Sequence, residues 1–459
     1  MIQGKDDASD LRRLASAPVG RLLWEYSLPA VTGMLVMALY NVIDRVFIGR
    51  VVGPDAIAGL AITFPVMNLS AALGVLVGAG ASARTSILLG AGRVDLARQV
   101  LGNSLTLILT NAAVYLTLFG VFLDDLLVAF GASEATLPYA RDFMATLLPG
   151  MLMMNLSFSF NNIMRASGYP VKAMLAMMLG AGLNALLAPL FIYVLEWGIR
   201  GAALATDISM TVSAIWVLSH FMRRDVNVGF TRDTYRLKAA VVKSIVSIGA
   251  APSLVNAASC MINVIINRSL YSYGGDSAVA AAGVFVTFTS MLTAVVLGIC
   301  QGMQPLVGYN YGAGRPDRLR RTFFLAAAAS TVICSAGAAA GIFTPGYIAG
   351  MFTTDPVLVE EVCRALPRAM SAFMFVGLQI VSTTLFQSIG QAGKSIVLSL
   401  TRQVIFLIPL LLLLPPVLGL DGVWTSFPAS DMLATVVTVA MVAWQLREIG
   451  RMRPTFSQV

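Results

Sequence analysis

Long apolar stretches separated by short polar segments recur twelve times along the chain. Each holds roughly 20 residues or more, the length at which a helix crosses a hydrocarbon core about 30 Å thick. The stretches are continuous rather than alternating, so they predict spanning helices and not barrel strands of about 10 residues. The predicted spans, numbered 1 to 12 in chain order, are approximately 22–48, 57–83, 97–122, 142–163, 172–195, 200–221, 244–270, 278–306, 321–343, 364–387, 396–418 and 422–446.

Composition supports an all-α membrane protein. Of the 459 residues, 57% are apolar and 12% are charged, and the mean hydropathy is +0.80. A soluble chain carries about twice that charged fraction. The four cysteines are too few for a disulfide-rich secreted scaffold and show no metal-ligand spacing. The polar segment before span 1 has no apolar core, so we expect no signal peptide, no metal and no cofactor.

The net charge of +8 is explained by the membrane topology of the chain. Basic residues lie between the apolar runs, which is the pattern of the positive-inside rule and not of a nucleic-acid-binding face. Twelve spans return both termini to one side, and 23 of the 31 Lys and Arg residues fall on that side, Arg165 being counted as a loop residue after span 4. We therefore expect a multi-pass protein of the plasma (inner) membrane with both termini in the cytoplasm and no nucleic-acid partner.

The two halves of the chain repeat at an offset of 222 residues. The segment 90–95 (Gly-Ala-Gly-Arg-Val-Asp) recurs at 312–317 as Gly-Ala-Gly-Arg-Pro-Asp, and other matches keep this register. Because each half holds six spans, the repeats are parallel and related by an axis along the membrane normal. We expect a first lobe at 1–220, a cytoplasmic linker at 221–243 and a second lobe at 244–459, with substrate bound between the lobes. This architecture favours a transporter over a channel or an enzyme.

Several segments resemble the multidrug and toxic compound extrusion (MATE) family, in particular its MepA-like branch. The resemblance covers nearly the whole chain, and its combination of motifs is more specific than any one of them. The matching segments are Pro29 with Asn41-Val42-Ile43-Asp44-Arg45-Val46-Phe47-Ile48-Gly49-Arg50, Arg165-Ala166-Ser167-Gly168-Tyr169-Pro170, Gly198-Ile199-Arg200-Gly201-Ala202-Ala203-Leu204-Ala205-Thr206, Thr401-Arg402-Gln403 with Pro409, and Gly419-Leu420-Asp421-Gly422-Val423-Trp424.

The resemblance implies an antiporter of two six-helix lobes in a V, which exports organic cations in exchange for protons or sodium. It also implies that an acid of span 1, here Asp44, carries the coupling ion, and that span 1 bends near Pro29 when this acid changes state. Proline lacks an N–H and frees the carbonyl four residues back, so span 1 can bend at Pro29 in any case. A passive kink remains the alternative.

Three acids lie well inside predicted spans: Asp44, Asp207 and Asp431. An ionisable residue at membrane depth costs at least about 2.5 kcal/mol when uncompensated, which makes each a candidate functional residue. Apolar surroundings penalise the charged form of a carboxylic acid. Binding of a proton or cation to Asp44 would remove that charge and alter helix packing nearby, which is a direct means of coupling. The alternative is an ion pair between Asp44 and Arg45 or Arg50.

The chain departs from the family pattern in span 5. Many members carry Asn-x-x-x-Asp-Pro there, whereas this chain has Ala188 before Pro189. The cation site implied by the resemblance, built from Asp44, Asn161, Asn184 and Thr206, therefore lacks one acid. Fewer negative ligands hold a dehydrated sodium ion less well, which favours a proton as the coupling ion. Asp207 is a possible replacement, although adjacent helical residues point about 100° apart.

Other polar and large side chains suggest a structural pair and a substrate surface. Asp431 and Arg402 are expected to form a buried ion pair, because lone charges inside spans 11 and 12 would be costly. Thioether and aromatic side chains at helical spacing suit a promiscuous pocket for cations, although core packing explains them equally well. The substrate-facing candidates are Met34, Met37, Phe64, Met151, Asn155, Phe158, Asn162 and Phe288.

The prediction is a monomeric secondary transporter in the lipid bilayer that exchanges small organic cations for protons, with sodium as the alternative ion. A lipid-intermediate flippase would need a polybasic cavity for an anionic cargo, and only Arg45, Arg268 and Arg402 were candidates inside spans. A third possibility is a non-transporting membrane receptor, which would bind a ligand without ion flux.

Overall fold

A computed structural model gives the architecture of the chain. It describes residues 13–51, 54–134, 136–223, 226–231 and 234–451, and the side chains at 40–51, 54–58, 61 and 260 lie outside this description. Within the described residues the regular secondary structure is helical and contains no β-strand. The all-α fold class predicted from the apolar pattern is therefore confirmed.

Spans 1 to 6 are helices whose ends lie within five residues of the predicted boundaries, except that span 2 extends to Gly90, seven residues beyond its predicted end. A short helix, Leu123–Ala129, connects spans 3 and 4. Span 5 ends in a π-helical turn directly after Pro189, where the missing N–H already interrupts the hydrogen-bond ladder. The bounds are Val19–Val51, Pro54–Gly90, Val94–Val121, Leu137–Ala166, Pro170–Pro189 continued by Leu190–Val194, and Gly198–Phe221.

Spans 7 and 8 lie within one continuous helical assignment, Ala239–Gly312, of 74 residues. At 1.5 Å per residue this segment would be about 110 Å long if straight, far beyond the roughly 30 Å of a hydrocarbon core. Gly275 interrupts it with a φ of +66°, a left-handed conformation that glycine adopts without a Cβ clash. The segments on either side of Gly275 are therefore two spans.

Spans 9 to 12 complete the second half. Ten helices of the described chain are long and apolar enough to cross a membrane, and a bent pair with an angle of 54° makes eleven. The division at Gly275 gives the predicted twelve. The bounds are Pro316–Phe343, then Pro356–Ala369 bent against Phe373–Phe375 and Val376–Ser388, then Ala392–Leu400 with Thr401–Leu407, Ile408–Leu413 and Pro415–Leu418, and finally Leu420–Ile449; a short helix, Pro345–Gly350, joins spans 9 and 10.

The twelve spans form two lobes, each with an apolar core. Where the lobes meet, Leu22 and Tyr26 of span 1 pack in the second-lobe core and Ile245 of span 7 packs in a first-lobe core. Phe160 and Phe221 are fully buried in the first lobe, and Trp424 and Phe386 in the second. Alternation of the spans places the start of span 1 on the same side as the ends of spans 2, 4, 6 and 8. We call this side the terminal face and the other side the opposite face.

The lobes meet closely at the terminal face, where spans 2 and 8 cross through two glycines. A Cβ on Gly90 would overlap the carbonyl oxygen of Tyr309, and a Cβ on Gly312 would overlap that of Ile87. Gly90 and Gly312 differ by 222 residues, and so do Ile87 and Tyr309. The crossing is therefore symmetric about the pseudo-twofold axis that the sequence repeat predicts.

Two further close contacts between the lobes follow the same symmetry. Together with the crossing of spans 2 and 8 they form the seal between the lobes at the terminal face. Gly80 of span 2 packs on the Ile245 and Gly249 backbone of span 7, and Gly302 of span 8 packs on Ser27 of span 1. The offset of 222 relates Gly80 to Gly302 and Ser27 to Gly249. Small residues at these four positions allow the backbones to approach closely.

Polar contacts hold the segment before span 1 and the linker at the same face. Arg318 donates to the carbonyl oxygens of Leu14 and Ala17 at 3.1 and 2.8 Å, which ties the segment before span 1 to the second lobe. The Asn103 amide of span 3 donates to the carbonyl oxygens of Thr234 and Arg236, each at 3.1 Å. The described part of the linker thus rests on the first lobe. The lobe boundaries at 220 and 243 stay predictions.

Candidate functional site

A cavity of about 580 Å³ lies between the two lobes. Its wall is built by spans 1, 2, 4, 5 and 6 of the first lobe and by spans 7, 8 and 10 of the second. This volume falls within the range of about 300–1,000 Å³ that is typical of small-molecule sites. The glycine crossings close the terminal-face side, so the cavity occupies the place between the lobes where the repeat predicts the substrate.

Most of the predicted substrate-facing residues line this cavity. Two do not: Met151 is buried in a first-lobe apolar core, and Phe288 packs against the second-lobe core. Asn155 is held toward the wall because its amide donates to the Ser70 hydroxyl at 3.1 Å. The six predicted residues that line the cavity are Met34, Met37, Phe64, Asn155, Phe158 and Asn162.

The polar end of the cavity is organised by Arg165, which the sequence analysis counted as a loop residue. The structure places Arg165 inside the span 4 helix, 4% exposed and lining the cavity. Its guanidinium donates to Asn161 Oδ1 at 2.5 Å and to Gln301 Oε1 of span 8. The expectation that Arg165 lies in a loop was wrong, and a buried cation connects the two lobes instead.

Asn161, proposed as a coupling residue, is engaged by two partners in this state. Its amide nitrogen donates to the Ala173 carbonyl oxygen at 2.6 Å, and its oxygen accepts from Arg165. Asn161 also lines the cavity. Its carbonyl oxygen is therefore used by Arg165 in the arrangement seen here.

Asn184 and Thr206 are brought together between spans 5 and 6. The Asn184 amide donates to Thr206 Oγ1 at 3.0 Å, and Thr206 lines the cavity. Asn184 is 1% exposed, and among the described atoms its Oδ1 has no hydrogen-bond partner. Ala188 is buried one helical turn further on, where the family pattern has an acid. An unused buried carbonyl oxygen can serve as a ligand for a cation or a hydrogen-bonded proton carrier.

Asp207 points away from Thr206. Its carboxylate packs directly against Gly150 of span 4, where a side chain would overlap it. Within the described chain its Oδ1 is buried without a hydrogen-bond partner. The angle of about 100° between adjacent helical residues thus separates Asp207, at the contact of spans 4 and 6, from Thr206 at the cavity wall. Asp44, the predicted coupling acid, has its side chain outside the described residues.

Pro29 lies in a span 1 helix that continues without interruption from Val19 to Val51. The proline is buried on the wall of a smaller space beside Tyr169 and Lys172, at the start of span 5. Bending of span 1 at Pro29 would therefore change its packing on span 5. Its role as a hinge stays a prediction.

Arg402 and Asp431 form an ion pair between spans 11 and 12. Arg402 Nε donates to Asp431 Oδ1 at 2.7 Å, and the two side chains are 30% and 5% exposed. Ser430 strengthens the junction because its hydroxyl donates to the Arg402 carbonyl oxygen at 2.5 Å. The pair lies outside the wall of the central cavity, and its structural role stays a prediction.

Several polar residues of the cavity were not predicted from the sequence, among them Arg165, Gln301 and Gln304. A signal for Arg165 was present, because the spacing of Asn155, Phe158 and Asn162 on span 4 continues to position 165 after three more residues. Gln301 and Gln304 occur in a largely apolar span, with no periodic pattern to single them out.

Comparison with protein families gives one match in each half of the chain. The MatE family model matches residues 29–190 and 252–413. The two matches begin 223 residues apart, within one residue of the offset found in the sequence. The family model therefore supports the same repeat and covers most of both lobes.

Relatives and solved structures agree over almost the full length. The Multidrug export protein MepA of Staphylococcus aureus is 26% identical over 429 residues, 93% of this chain and 94% of that protein. The FAD transporter of Shewanella oneidensis is 28% identical over 433 residues, 92% and 94% of the two chains. A solved outward-facing conformation of a multidrug resistance MATE family transporter of the MOP superfamily superposes with a TM-score of 0.91 at 26% identity, covering 96% of this chain and 98% of the other.

Proposed function

The chain belongs to the MatE family, and from this premise we propose that it is a multidrug efflux transporter that exchanges organic cations or other drugs for protons. Members of the family are transporters, so the protein is a membrane transporter and not an enzyme. The observation that carries the proposal is the cavity between the lobes. Thioether and aromatic side chains such as Met34, Met37 and Phe64 adapt to varied shapes and attract cations.

Alternating access would operate by opening and closing the seal at the terminal face. The basic residues favour a cytoplasmic position for that face. The state described here is then closed toward the cytoplasm, and substrate would leave from the opposite face. The high similarity to a structure named as outward-facing supports this assignment. In the reverse state the crossing of spans 2 and 8 would separate and admit substrate from the cytoplasm.

Coupling is proposed to run through Asp44, with Asn184 and Thr206 as its polar neighbours. The hydrogen bond between Asn184 and Thr206 leaves the Asn184 carbonyl oxygen available toward an incoming ion. Ala188 removes an acid from this region, which supports a proton over sodium. Sodium is the alternative ion, and it would require Asp207 to turn from Gly150. Asn161 already accepts a hydrogen bond from Arg165, so it could take part through the remaining lone pair of its oxygen or after Arg165 releases it.

The lipid-intermediate flippase is less well supported by the cavity. An anionic lipid precursor would need several cations along its path, whereas among the described residues that line the cavity Arg165 is the one cation. The FAD transporter among the relatives shows that the family also includes named carriers of other cargo. A receptor without transport would not require two lobes that seal symmetrically at one face.

The proposal is tested by ethidium uptake into inside-out vesicles. An imposed proton gradient, acidic inside, and separately a sodium gradient are applied to vesicles that contain wild type, Asp44→Asn or Asp125→Asn. Asp125 is an exposed acid on the short helix Leu123–Ala129, so it controls for the loss of one carboxylate. We expect proton-driven uptake in wild type and in Asp125→Asn, and none in Asp44→Asn.

The contrary outcomes separate the parts of the proposal. Uptake driven by a sodium gradient and not by a proton gradient would show that sodium is the coupling ion. Full activity of Asp44→Asn would remove Asp44 from the coupling role. No gradient-driven uptake across a panel of cationic dyes would refute cation efflux, and lipid-scrambling assays would then test the flippase.

A further inference from the structure

Arg165 is a buried cation whose described partners are all neutral. Its guanidinium bonds to the amide oxygens of Asn161 and Gln301, and its Nη2 lies 4.0 Å from the Met177 sulfur. None of the ion pairs formed by described side chains includes Arg165. A charge held away from water normally has a counter-ion, because an unpaired buried charge is strongly destabilising. The missing counter-charge is the feature that needs an explanation.

The coupling acid of span 1 is poorly placed to supply that charge. Asp44 lies seven residues before the end of span 1 at the opposite face, whereas Arg165 lies one residue before the end of span 4 at the terminal face. At 1.5 Å per residue, the rest of span 1 from Asp44 to Val51 accounts for only about 10 Å of helix. The two residues therefore lie toward different ends of the bundle.

The guanidinium faces the cavity and has N–H donors that the two amide oxygens do not use. Arginine has five N–H donors in a planar fork that matches a carboxylate in bidentate geometry. The amide oxygens of Asn161 and Gln301 use two of them. Both amides and the guanidinium line the same cavity, whose remaining wall is mainly apolar. A ligand carboxylate can bond to the other donors or displace the neutral Gln301 oxygen.

The second lobe shows that the fold does not require a cation at this place. The offset of 222 relates Arg165 to Gln387, and Gln387 lines the same cavity from span 10. A glutamine at the equivalent position therefore fits the helix and the wall. Among the described residues that line the cavity, the positive charge belongs to the first lobe alone, which gives the cavity a polarity that a ligand can recognise.

We propose that Arg165 is a carboxylate-binding subsite, and that among the organic compounds bound in the cavity it favours those that carry a carboxylate on an apolar, aromatic body. Such compounds include zwitterions in which a cationic group faces the aromatic wall while the carboxylate faces Arg165. This deepens the proposed function and rests on it, because it assumes that the cavity holds the transported compound. Arg165 thereby separates zwitterionic from purely cationic drugs.

The test uses two dyes that differ only at the carboxyl group. Rhodamine 110 carries a free carboxylate, and rhodamine 123 is its methyl ester. Binding of each is measured by fluorescence anisotropy to the purified full-length protein in nanodiscs of zwitterionic lipid, with empty nanodiscs subtracted. We expect wild type to bind rhodamine 110 about tenfold more tightly or better, which is the effect of one charge-assisted hydrogen bond.

Three variants assign that preference to Arg165. Arg165→Gln, which copies Gln387, is expected to bind the two dyes equally while retaining rhodamine 123 binding. Arg165→Lys keeps the charge and should keep most of the preference. Arg93→Gln removes an exposed arginine at the terminal face and should bind as wild type does.

Four results would overturn the subsite. In wild type these are equal binding of both dyes and no binding of rhodamine 110. In Arg165→Gln they are an unchanged preference for rhodamine 110, and an equal loss of binding of both dyes, which would indicate a structural role. Binding is measured without a gradient, so it is independent of transport. If the protein showed the dye preference but no proton-driven export of rhodamine 123, the efflux mechanism would be refuted and the subsite would not.

Discussion

The symmetric glycine crossing at the terminal face predicts the effect of two single-methyl additions. We consider Gly90→Ala in span 2 and Gly312→Ala in span 8, each of which adds a Cβ at the crossing. The added carbon would lie 2.7 Å from the Tyr309 carbonyl carbon in the first case and 2.9 Å from the Ile87 carbonyl carbon in the second. Both neighbours are backbone atoms, so rotation of a side chain gives no relief.

The distances set the size of the effect. Non-bonded carbons come to rest near 3.5 Å, so the carbonyl carbons alone require spans 2 and 8 to separate by about 0.6–0.8 Å. The carbonyl oxygens lie nearer to the added carbon and require a larger separation. Overpacking of this kind costs about 1–3 kcal/mol. The cost falls on the state that is sealed at the terminal face, and the open state does not bear it. The population should shift toward the open state by about 5- to 150-fold. Because one separation relieves both clashes, the double variant should shift less than the sum of the two single shifts.

The distance between spin labels at the terminal face measures this shift. Asp95 and Asp317 are exposed, follow spans 2 and 8, and are related by the offset of 222. Cysteines introduced at these two positions carry the labels, and pulsed electron resonance on protein in nanodiscs gives the distance distribution. Gly90→Ala and Gly312→Ala should each add a population at longer distance, of similar size in the two variants.

A matched substitution distinguishes the clash from a general effect of alanine. Gly182 in span 5 has open space where a Cβ would lie, so Gly182→Ala should leave the distances unchanged and slightly favour the helix. Unchanged distances in folded Gly90→Ala, or an equal change in Gly182→Ala, would refute the reasoning. A change in only one of the two crossing variants would refute the symmetry.

Three further predictions concern stability and the linker. Asp431→Asn leaves Arg402 without its counter-ion and should lower the free energy of unfolding by about 2 kcal/mol. This is below the roughly 3–5 kcal/mol of a fully buried pair, because Arg402 is 30% exposed. Thermal unfolding measures the loss, and the double variant Arg402→Met/Asp431→Leu should recover most of it. Thr206→Val leaves the Asn184 amide without this partner and should lower stability by about 1–3 kcal/mol and reduce ion-driven uptake. Asn103→Ala removes the bonds that hold the linker and should speed tryptic cleavage of the linker severalfold, with the rate in wild type as the reference.

The apolar pattern predicted the spans well because bilayer thickness constrains their length more strongly than any local preference does. It described less well the places where backbone conformation depends on a single residue or a tertiary contact. Span 10 bends between Ala369 and Phe373, inside the predicted span 364–387, and the residue pattern there does not differ enough from a straight helix to reveal the break. The turn at Gly275, by contrast, falls in the gap between the predicted spans 7 and 8.

The site was predicted in part, and the errors have a common cause. Spacing along span 4 correctly brought Asn155, Phe158 and Asn162 to the cavity, because helical periodicity fixes which residues share a face. It failed for Met151, since the spacing does not tell where along its length the helix leaves the cavity and enters a lobe core. It also failed for Arg165, because counting basic residues by side assumes that a cation near the end of a span lies in a loop.

Symmetry and its violations have different roles in this protein. The glycines at 90 and 312 are identical in both halves because the lobes must close on each other along a pseudo-twofold axis, and each half supplies the same surface. The polar residues of the cavity do not follow the repeat: Arg165 is opposed by Gln387, and Asn162 by Thr384. A cavity wall with the same polar groups in both lobes would bind both ends of a ligand equally, whereas a cation in one lobe can orient a ligand that carries a single carboxylate. In the proposed mechanism, the symmetric backbone contacts serve the opening and closing of the lobes, and the residues that differ between the halves serve the selection of the compound.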